Sequence, residues 1–400
     1  MASHLSKAGL ILGPTSITWL RIAFQKNPAV LGALTAIGRY PCYFGHEPLM
    51  NLYAPCPVME LCGGCPHFAL TEADEYAAKL DRLEQLQGTL QVSMSNSELI
   101  SNRHRTDYRN RIRLRVDAAG QIVFFNSEKS SDCAVLLPAL RTYLDELRDW
   151  SKRHSGALSP FAHLEARAPD LDCVRGLYLS YKPGIASARE SLRALAHAVD
   201  AQSLATNVGS PVPTQRHGID GRTHQRVPLD AFLQINPDVN RRLTEYVVTG
   251  ALQRGCSSFA DLYCGSGNFA LPLAAAGLRG HGVEFVASCA AAANWAAHEQ
   301  QLVSVQFSQG DAVASSRTWL SMNCLFDLVV IDPPRAGVRL GLDVISTLAR
   351  QCIAYCSCNP QTLLRDIATL RQLGWQVAEV RGFDMFPGTR HLEVVAWLTR

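Results

Sequence analysis

The feature that most narrows the possible folds is a regular alternation, beginning at Leu229, of short β-rich runs with segments of helical period. Strands fit residues 258–263, 281–285, 303–307, 325–331 and 353–357, with a helical stretch between successive strands. A strand, a crossover helix and another strand make a parallel sheet with right-handed connections. Asn236-Pro237 supplies an N-cap and a first-turn proline for a helix running to about Gln253. The final runs, 376–382 and 392–398, leave no room for a helix between them and predict an antiparallel edge hairpin. The result is a Rossmann-like α/β sandwich of seven strands with no internal repeat and no low-complexity segment.

Upstream the texture changes several times. Residues 1–50 follow neither the helical nor the strand period and end at Met50, just before a dense Cys/Pro/Gly segment. That break suits an upstream extension with translation starting at Met50, and equally an ordinary N-terminal arm. Between 71 and 90, Tyr76, Leu80, Leu83 and Leu86 line one face of a predicted helix. Residues 108–125 and 174–183 read as strands and 138–153 as an amphipathic helix, which together predict a mixed α+β domain. A Pro/Gly/Ser-rich loop or linker follows at 208–221. The expected division is therefore 1–50, an extension; 51–70, a Cys-rich loop; 71–225, a central α+β domain; and 226–400, the Rossmann-like domain.

A chain of 400 residues, 47% apolar and 18% charged, excludes a disordered tail or a disulfide-stapled mini-protein. Its 13 cysteines are too sparse for a secreted disulfide framework and point to a reducing, cytoplasmic compartment. The apolar stretch 8–24 is interrupted by Pro14, Thr15, Ser16 and Arg21, so it predicts no membrane anchor. Lys7 ahead of it lacks the full apolar core and cleavage site of a signal peptide. A net charge of +3 is too mild to diagnose a nucleic-acid partner, so any basic surface must be local.

Asp261-Leu262-Tyr263-Cys264-Gly265-Ser266-Gly267-Asn268-Phe269-Ala270 places a glycine-rich turn between a strand and its helix, where the backbone can approach a ligand. Glu284 ends the next strand and can accept from both hydroxyls of a ribose; Asp311, after the third, can meet an adenine amino group. A lone fingerprint of this kind is weak, but its strand–turn–helix context favours an adenosine-containing cofactor. Dinucleotide folds use two mononucleotide halves, whereas this sheet opens on one glycine loop and closes with a hairpin, which favours S-adenosylmethionine over a nicotinamide cofactor. Asp332-Pro333-Pro334-Arg335 falls at the carboxyl end of the fourth strand, on the edge where α/β proteins bind ligands.

Tyr355-Cys356-Ser357-Cys358-Asn359-Pro360 ends the fifth strand and opens a helix. Cys358 thus lies beside a helix N-terminus, whose positive end favours the nucleophilic thiolate. A metal-binding or simply buried pair is the alternative for Cys-x-Cys.

Five stretches, Phe232-Leu233-Gln234-Ile235-Asn236-Pro237, the loop 261–269, Asp332 to Arg335, Ser357 to Pro360, and Asp384-Met385-Phe386-Pro387 followed by His391-Leu392-Glu393, together resemble the RNA 5-methyluridine methyltransferase family in its order and spacing. The resemblance covers about 55–400. It implies a seven-stranded class I methyltransferase sheet, S-adenosylmethionine, and a uracil in RNA as target. It also implies Cys358 as nucleophile, Glu393 as proton acceptor, and a cofactor site lined by Gln234, Tyr263, Asn268, Glu284, Asp311 and Asp332. Chemistry gives these types independent sense: thiolate addition at C6 makes C5 nucleophilic, and a base must then remove the C5 proton. Without the flanking motif, Glu393 would read as a surface partner of Arg381 or Arg390.

Cys56-x5-Cys62-x2-Cys65 offers three thiolates on a tight loop, one short of the four that zinc or an iron–sulfur cluster requires. Resemblance to cluster-bearing family members makes Cys133 the fourth and a [4Fe-4S] cluster the group. Spacing alone leaves iron and zinc open, with Cys42 as a rival ligand. Cys173, Cys256, Cys289, Cys324 and Cys352 are expected to be buried small hydrophobes. Arg103, Arg105, Arg109, Arg111, Arg113 and Arg115 crowd thirteen residues, opposed by Asp107 alone. On a strand, Arg111, Arg113 and Arg115 would share a face suited to phosphates, with Ile112, Leu114 and Val116 turned to the core.

The expectation is a monomer that methylates RNA. Many relatives carry a small N-terminal TRAM β-barrel whose strands residues 1–50 do not offer. With the cysteine cluster, this looks most like the short branch acting on uridine 747 of 23S rRNA and less like the tRNA branch. An NAD-dependent oxidoreductase and a noncatalytic iron–sulfur RNA-binding protein are the competing readings.

Overall fold

Strand β1 (Leu99–Ile100) and helix α2 (Glu72–Thr89), read as parts of the central domain, instead pack on the large C-terminal sheet. The computed structural model describes residues 56–57, 59–92, 99–102, 104–123, 133–168, 171, 173–185, 189–208 and 212–400. Residues 1–50, including Cys42, lie outside the described residues, as do Arg103 and all of 124–132. Every described residue falls within one compact unit, Leu52–Arg400.

A short helix α1 (Met59–Cys62) and a 3-10 turn (Pro66–Ala69) carry the cysteine segment. Helix α2 begins where Thr71 accepts from the Asp74 amide, but its buried face is Glu75, Lys79, Leu83 and Leu86, while Tyr76 is exposed. The smaller sheet follows the order β3 (Ile122–Val123), β2 (Arg111–Val116), β4 (Phe161–Arg167), β5 (Gly176–Tyr181), β6 (Ser203–Thr206). Helix α3 (Pro138–Arg153) covers it, burying Leu140, Tyr143, Leu144 and Leu147 against Leu114, Leu164 and Leu179. Beyond helix α4 (Arg189–Ala198), a hairpin of β7 (Thr214–Gly218) and β8 (His224–Pro228) leads into helix α5 (Pro237–Gln253). Asn236 caps α5 by accepting from Val239, as its sequence predicts.

The large sheet then builds β9 (Ser258–Leu262), β10 (Arg279–Glu284), β11 (Val305–Gln309), β12 (Phe326–Ile331), β13 (Ala349–Ser357), β14 (Gln376–Phe383) and β15 (Glu393–Thr399). Their order is β1-β14-β15-β13-β12-β9-β10-β11, so the seven expected strands gain a two-residue eighth at the edge. The intervening helices are α6 (Ala270–Ala275), α7 (Ala287–Glu299), α8 (Ala312–Ser321), α9 (Leu342–Leu348) and α10 (Pro360–Gln372). One expectation needs correction. The last two strands pair antiparallel, but β15 is interior, inserted between β13 and β14. Its run Val394, Val395, Ala396, Trp397 and Leu398 is buried throughout, the signature of a strand covered on both faces, not of an edge.

Helix α5 approaches the sheet closely at Gly250. A methyl there would meet the fully buried Trp397 ring at 2.4 Å. Gly250→Ala should therefore cost about 1–3 kcal/mol by overpacking despite the better helix propensity of alanine, and a lowered urea midpoint relative to the parent chain would show it.

Candidate active site

The register of the inserted strand assembles the centre. β13 and β15 run antiparallel with Ser357 opposite Val394, so the next step along each chain sets Cys358 opposite Glu393. On its other side Glu393 pairs with Phe383 of β14. Glu393 is buried, 7% exposed, and Cys358 is half-buried.

Asn359 fixes the turn after Cys358. Its side chain accepts from the Gln361 amide to cap α10 and donates to the Arg335 carbonyl at 3.2 Å. The Asp332–Arg335 loop is thereby bound to the start of α10. Asp366, one turn and a half further on, holds the same loop, accepting from the Val338 amide at 2.7 Å and the Tyr355 hydroxyl at 2.5 Å. Asp366 was missed in the sequence because a carboxylate in a helix ordinarily reads as a solvated one.

Cys358 departs from the sequence expectation. Burial, and then the neighbouring Glu393, push its thiol up; Arg335, hydrogen-bonded to it, pulls the other way without winning. A helix N-terminus alone does not leave a thiolate here. Glu393 is itself raised well above the usual carboxylate range by burial and by Asp332, with Arg335 opposing. Asp332 is also raised by desolvation.

Asp332 joins this pair to the glycine loop, since it is the foremost charged neighbour of Asp261, which is fully buried at the end of β9. One Asp261 oxygen accepts from the Ala270 amide at 3.0 Å; the other is buried without a partner among the described residues. Tyr263 turns the loop in the left-handed region at φ 65°, a strained place for an aromatic residue, and Gly267 follows at φ 91°. A Cβ on Gly267 would lie 2.9 Å from Leu271, so no other residue fits the turn.

The remaining candidates occupy the same edge with different freedom. Glu284 accepts from Gly265 at 3.0 Å on one oxygen and from Val286 at 2.8 Å on the other. Asp311 caps α8 through one oxygen and faces Tyr263 electrostatically. Asn268 is engaged in a reciprocal amide pair with Asn240 of α5, at 2.9 and 3.0 Å. The backbone carbonyl of Gln234 accepts from Asn110, and that of Leu233 from Arg111, so the 232–237 stretch is laced to the smaller sheet.

That lacing removes Arg111 from the expected phosphate face. It contacts Glu165 at 3.3 Å and stacks on the Phe232 ring at 5.0 Å. Arg105 is likewise diverted, to Glu75 at 2.7 Å and the Phe68 ring. Arg113 and Arg115 remain on the exposed face, while Ile112, Leu114 and Val116 are buried as the period of two requires.

Cys56, Cys62, Cys65 and Cys133 converge. Each of the other three acts electrostatically on Cys65, whose thiol is pushed up to about 12 mainly by burial. Among the described residues no three such side chains stand close enough to hold a single metal ion. Of the cysteines expected to be buried, Cys256, Cys289 and Cys352 are, and Cys324 is half-buried. Cys173 is a correction, being exposed on a loop and not a free thiol. No helix among the described residues is long and apolar enough to cross a membrane.

The chain is similar to known proteins. The family model for tRNA (Uracil-5-)-methyltransferase matches residues 214–400. The 23S rRNA (uracil(1939)-C(5))-methyltransferase RlmD of Edwardsiella ictaluri is 30% identical over 380 residues, covering 90% of this chain and 84% of the relative. The RlmD of Tolumonas auensis is 30% identical over 368 residues, covering 87% and 82%. Among solved structures, the Pyrococcus abyssi tRNA (uracil-54, C5)-methyltransferase in complex with S-adenosyl-L-homocysteine superposes with a TM-score of 0.64 at 20% identity, covering 85% of this chain and 86% of that one, and shows the shared fold.

The raised Cys358 thiol gives a prediction with a definite sign. A thiol held above its ordinary pKa is protonated at neutral pH, so its alkylation by iodoacetamide should climb with pH beyond the usual thiol range. Arg335→Ala removes the cation that lowers it and should move the profile to still higher pH. Residue-resolved mass spectrometry between about pH 6 and about pH 10 checks both; a profile unmoved by the substitution would contradict the assignment.

Proposed function

The chain belongs to the RNA uracil-5-methyltransferase family, and from that premise we propose that it methylates C5 of a uridine in 23S rRNA, with Cys358 as nucleophile and Glu393 as base. The observation that carries the reading is the facing of Cys358 and Glu393 across the β13–β15 register, beside the glycine loop. RlmD relatives favour the 1939 position over the 747 position suggested by the lack of TRAM strands and the cysteine cluster.

The site's charge suits the methyl donor. Asp261, Asp332 and Glu393 crowd one edge with Arg335 as the neighbouring cation, and the partnerless Asp261 oxygen calls for a positive group. S-adenosylmethionine carries an ammonium and a sulfonium and supplies an electrophilic methyl group. Glu284 keeps lone pairs for the ribose hydroxyls beyond its two backbone bonds, and Asp311 keeps one oxygen for the adenine. Tyr263 would flank the adenine and Gln234 and Asp332 would close the methionine end, while Asn268 anchors the loop through Asn240.

Cys358 then works in two steps. Its sulfur adds to C6 of the uracil, which must leave its stack to reach it, and the C5–C6 π pair becomes an enolate nucleophilic at C5. Once C5 bears the methyl group, Glu393 takes the C5 proton, the pair left behind restores C5=C6, and the Cys358 sulfur departs as thiolate. Arg335 stabilises the thiolate at both ends of this cycle.

Cys56, Cys62, Cys65 and Cys133 would hold a [4Fe-4S] cluster. Burial and the neighbouring thiols raise Cys65 and Cys133, a cost that bound metal would remove, and a four-iron cluster keeps its ligand sulfurs farther apart than a single ion does. Anaerobically purified protein should contain roughly four irons and four sulfides per chain, and Cys65→Ser should lower both; one zinc and no sulfide would overturn the cluster.

Incubation with labelled S-adenosylmethionine and unmodified 23S rRNA should label one uridine, whose mapping identifies the position. Absence of label on uridine would leave the oxidoreductase and noncatalytic readings standing. Glu393→Gln should trap a covalent protein–RNA adduct visible on a denaturing gel, and Cys358→Ala should form none; rapid turnover by the glutamine variant would remove Glu393 as the base.

A further inference from the structure

The loop that delivers Glu393, residues 384–392 between β14 and β15, is buried over much of its length, whereas connecting loops ordinarily run over the surface. What holds it down is a charged pair on helix α2. Lys79 is 0% exposed, and its ammonium donates to Glu75 Oε1 at 2.7 Å, Asp384 Oδ1 at 2.7 Å and the Phe386 carbonyl at 3.2 Å. Three acceptors meet all three of its N–H groups, the condition under which a buried ammonium is tolerated. Glu75 Oε1 also accepts from the Gly388 amide at 2.7 Å, and its second oxygen meets Arg105. Two residues one helical turn apart thus grip the loop at positions 384, 386 and 388, the nearest of which lies five residues before Glu393.

A second observation points the same way. His67, in the cysteine segment, donates to the Gly388 carbonyl at 2.9 Å, Tyr108 donates to the Pro387 carbonyl at 3.0 Å, and a Cβ on Gly388 would lie 2.3 Å from the Phe68 ring. The loop is clamped between α2 and the cysteine segment, and nothing in the chemistry of methyl transfer itself requires an ammonium at that depth.

We propose that Lys79 is a positioning residue for the reaction: through Asp384 and Phe386 it fixes the loop that sets the Glu393 carboxyl against C5, and it acts on proton removal without touching substrate. The inference rests on the reading of Glu393 as base. It predicts a selective defect, because Cys358 is held by β13 and α10, which Lys79 does not contact.

Lys79→Met in the full-length protein should bind RNA with an unchanged KM, form the Cys358 adduct at the parent rate and turn over roughly 10–100-fold more slowly, so that adduct accumulates on a denaturing gel. Asp384→Ala cuts the tie from the loop side while Lys79 keeps Glu75 and the Phe386 carbonyl, so it carries the same test if the lysine variant does not fold. Parent-like turnover in the folded variants overturns the proposal, and so does a parallel loss of adduct formation and turnover, which marks a general structural role. If the parent protein forms no adduct and labels no uridine, the proposed function fails; if it does both and the variants match it, this inference alone fails.

Discussion

Everything at this centre depends on one strand lying where it does. Had β15 hung on the edge of the sheet as a plain hairpin, Glu393 would face solvent and Cys358 would have no partner. Insertion between β13 and β14 gives β15 two ladders, and the ladder with β13, ending at Ser357 opposite Val394, brings residue 358 against residue 393. Because side chains alternate with period two, a slip of one residue would turn Glu393 to the other face. The apolar run 394–398 suits β15 to a place covered on both faces, and the ladders with β13 and β14 hold its register.

Around that register the site carries more carboxylate than cation. Beyond burial, Asp332 raises Asp261 and Glu393, and Glu393 and Asp332 raise Cys358, while Arg335 opposes at Glu393 and Cys358. Such a centre is poised against ionisation until positive charge arrives. A sulfonium donor brings that charge, and its arrival would favour the Cys358 thiolate and the Glu393 carboxylate together. On the proposed reading, the electrostatics couple donor binding to activation of both reacting groups, so a lone thiolate is not left exposed to solution when the donor is missing. The helix dipole at α10 contributes, but burial outweighs it.

How much of this was legible in the sequence depends on whether a residue follows its local rule. Asn236-Pro237 and Asn359-Pro360 cap helices where their spacing puts them, and the strands of the large sheet fall within a few residues of their apolar runs. The smaller sheet's β2 turns Ile112, Leu114 and Val116 inward as alternation demands. Several departures come from charge used inside. The apolar spacing of helix α2 points to the face bearing Tyr76, yet Glu75 and Lys79 are buried and Tyr76 is not. Arg111 reads as part of a phosphate face and is spent on Glu165, and Arg105, from the same basic run, is spent on Glu75. Asp261 and Asp366 look like ordinary carboxylates, and only tertiary context reveals a bare oxygen on one and a loop clamp in the other. The interior place of β15 was readable in principle, since an edge strand rarely carries five apolar residues in a row.

Those buried charges share a purpose that pattern rules do not capture. An apolar side chain at position 79 would bury as much surface as the lysine, but it could not specify where the 384–392 loop lies, because hydrophobic contact is indifferent to small slides along a surface. An ammonium with three acceptors at fixed distances is not: moving the loop by an ångström breaks a charged hydrogen bond in a desolvated place. Buried ion pairs are poor sources of net stability and good sources of register. Stability for this domain comes from the two apolar layers on either face of the sheet; the placing of Glu393 comes from the charged pair on α2 and from the sheet ladder that receives it.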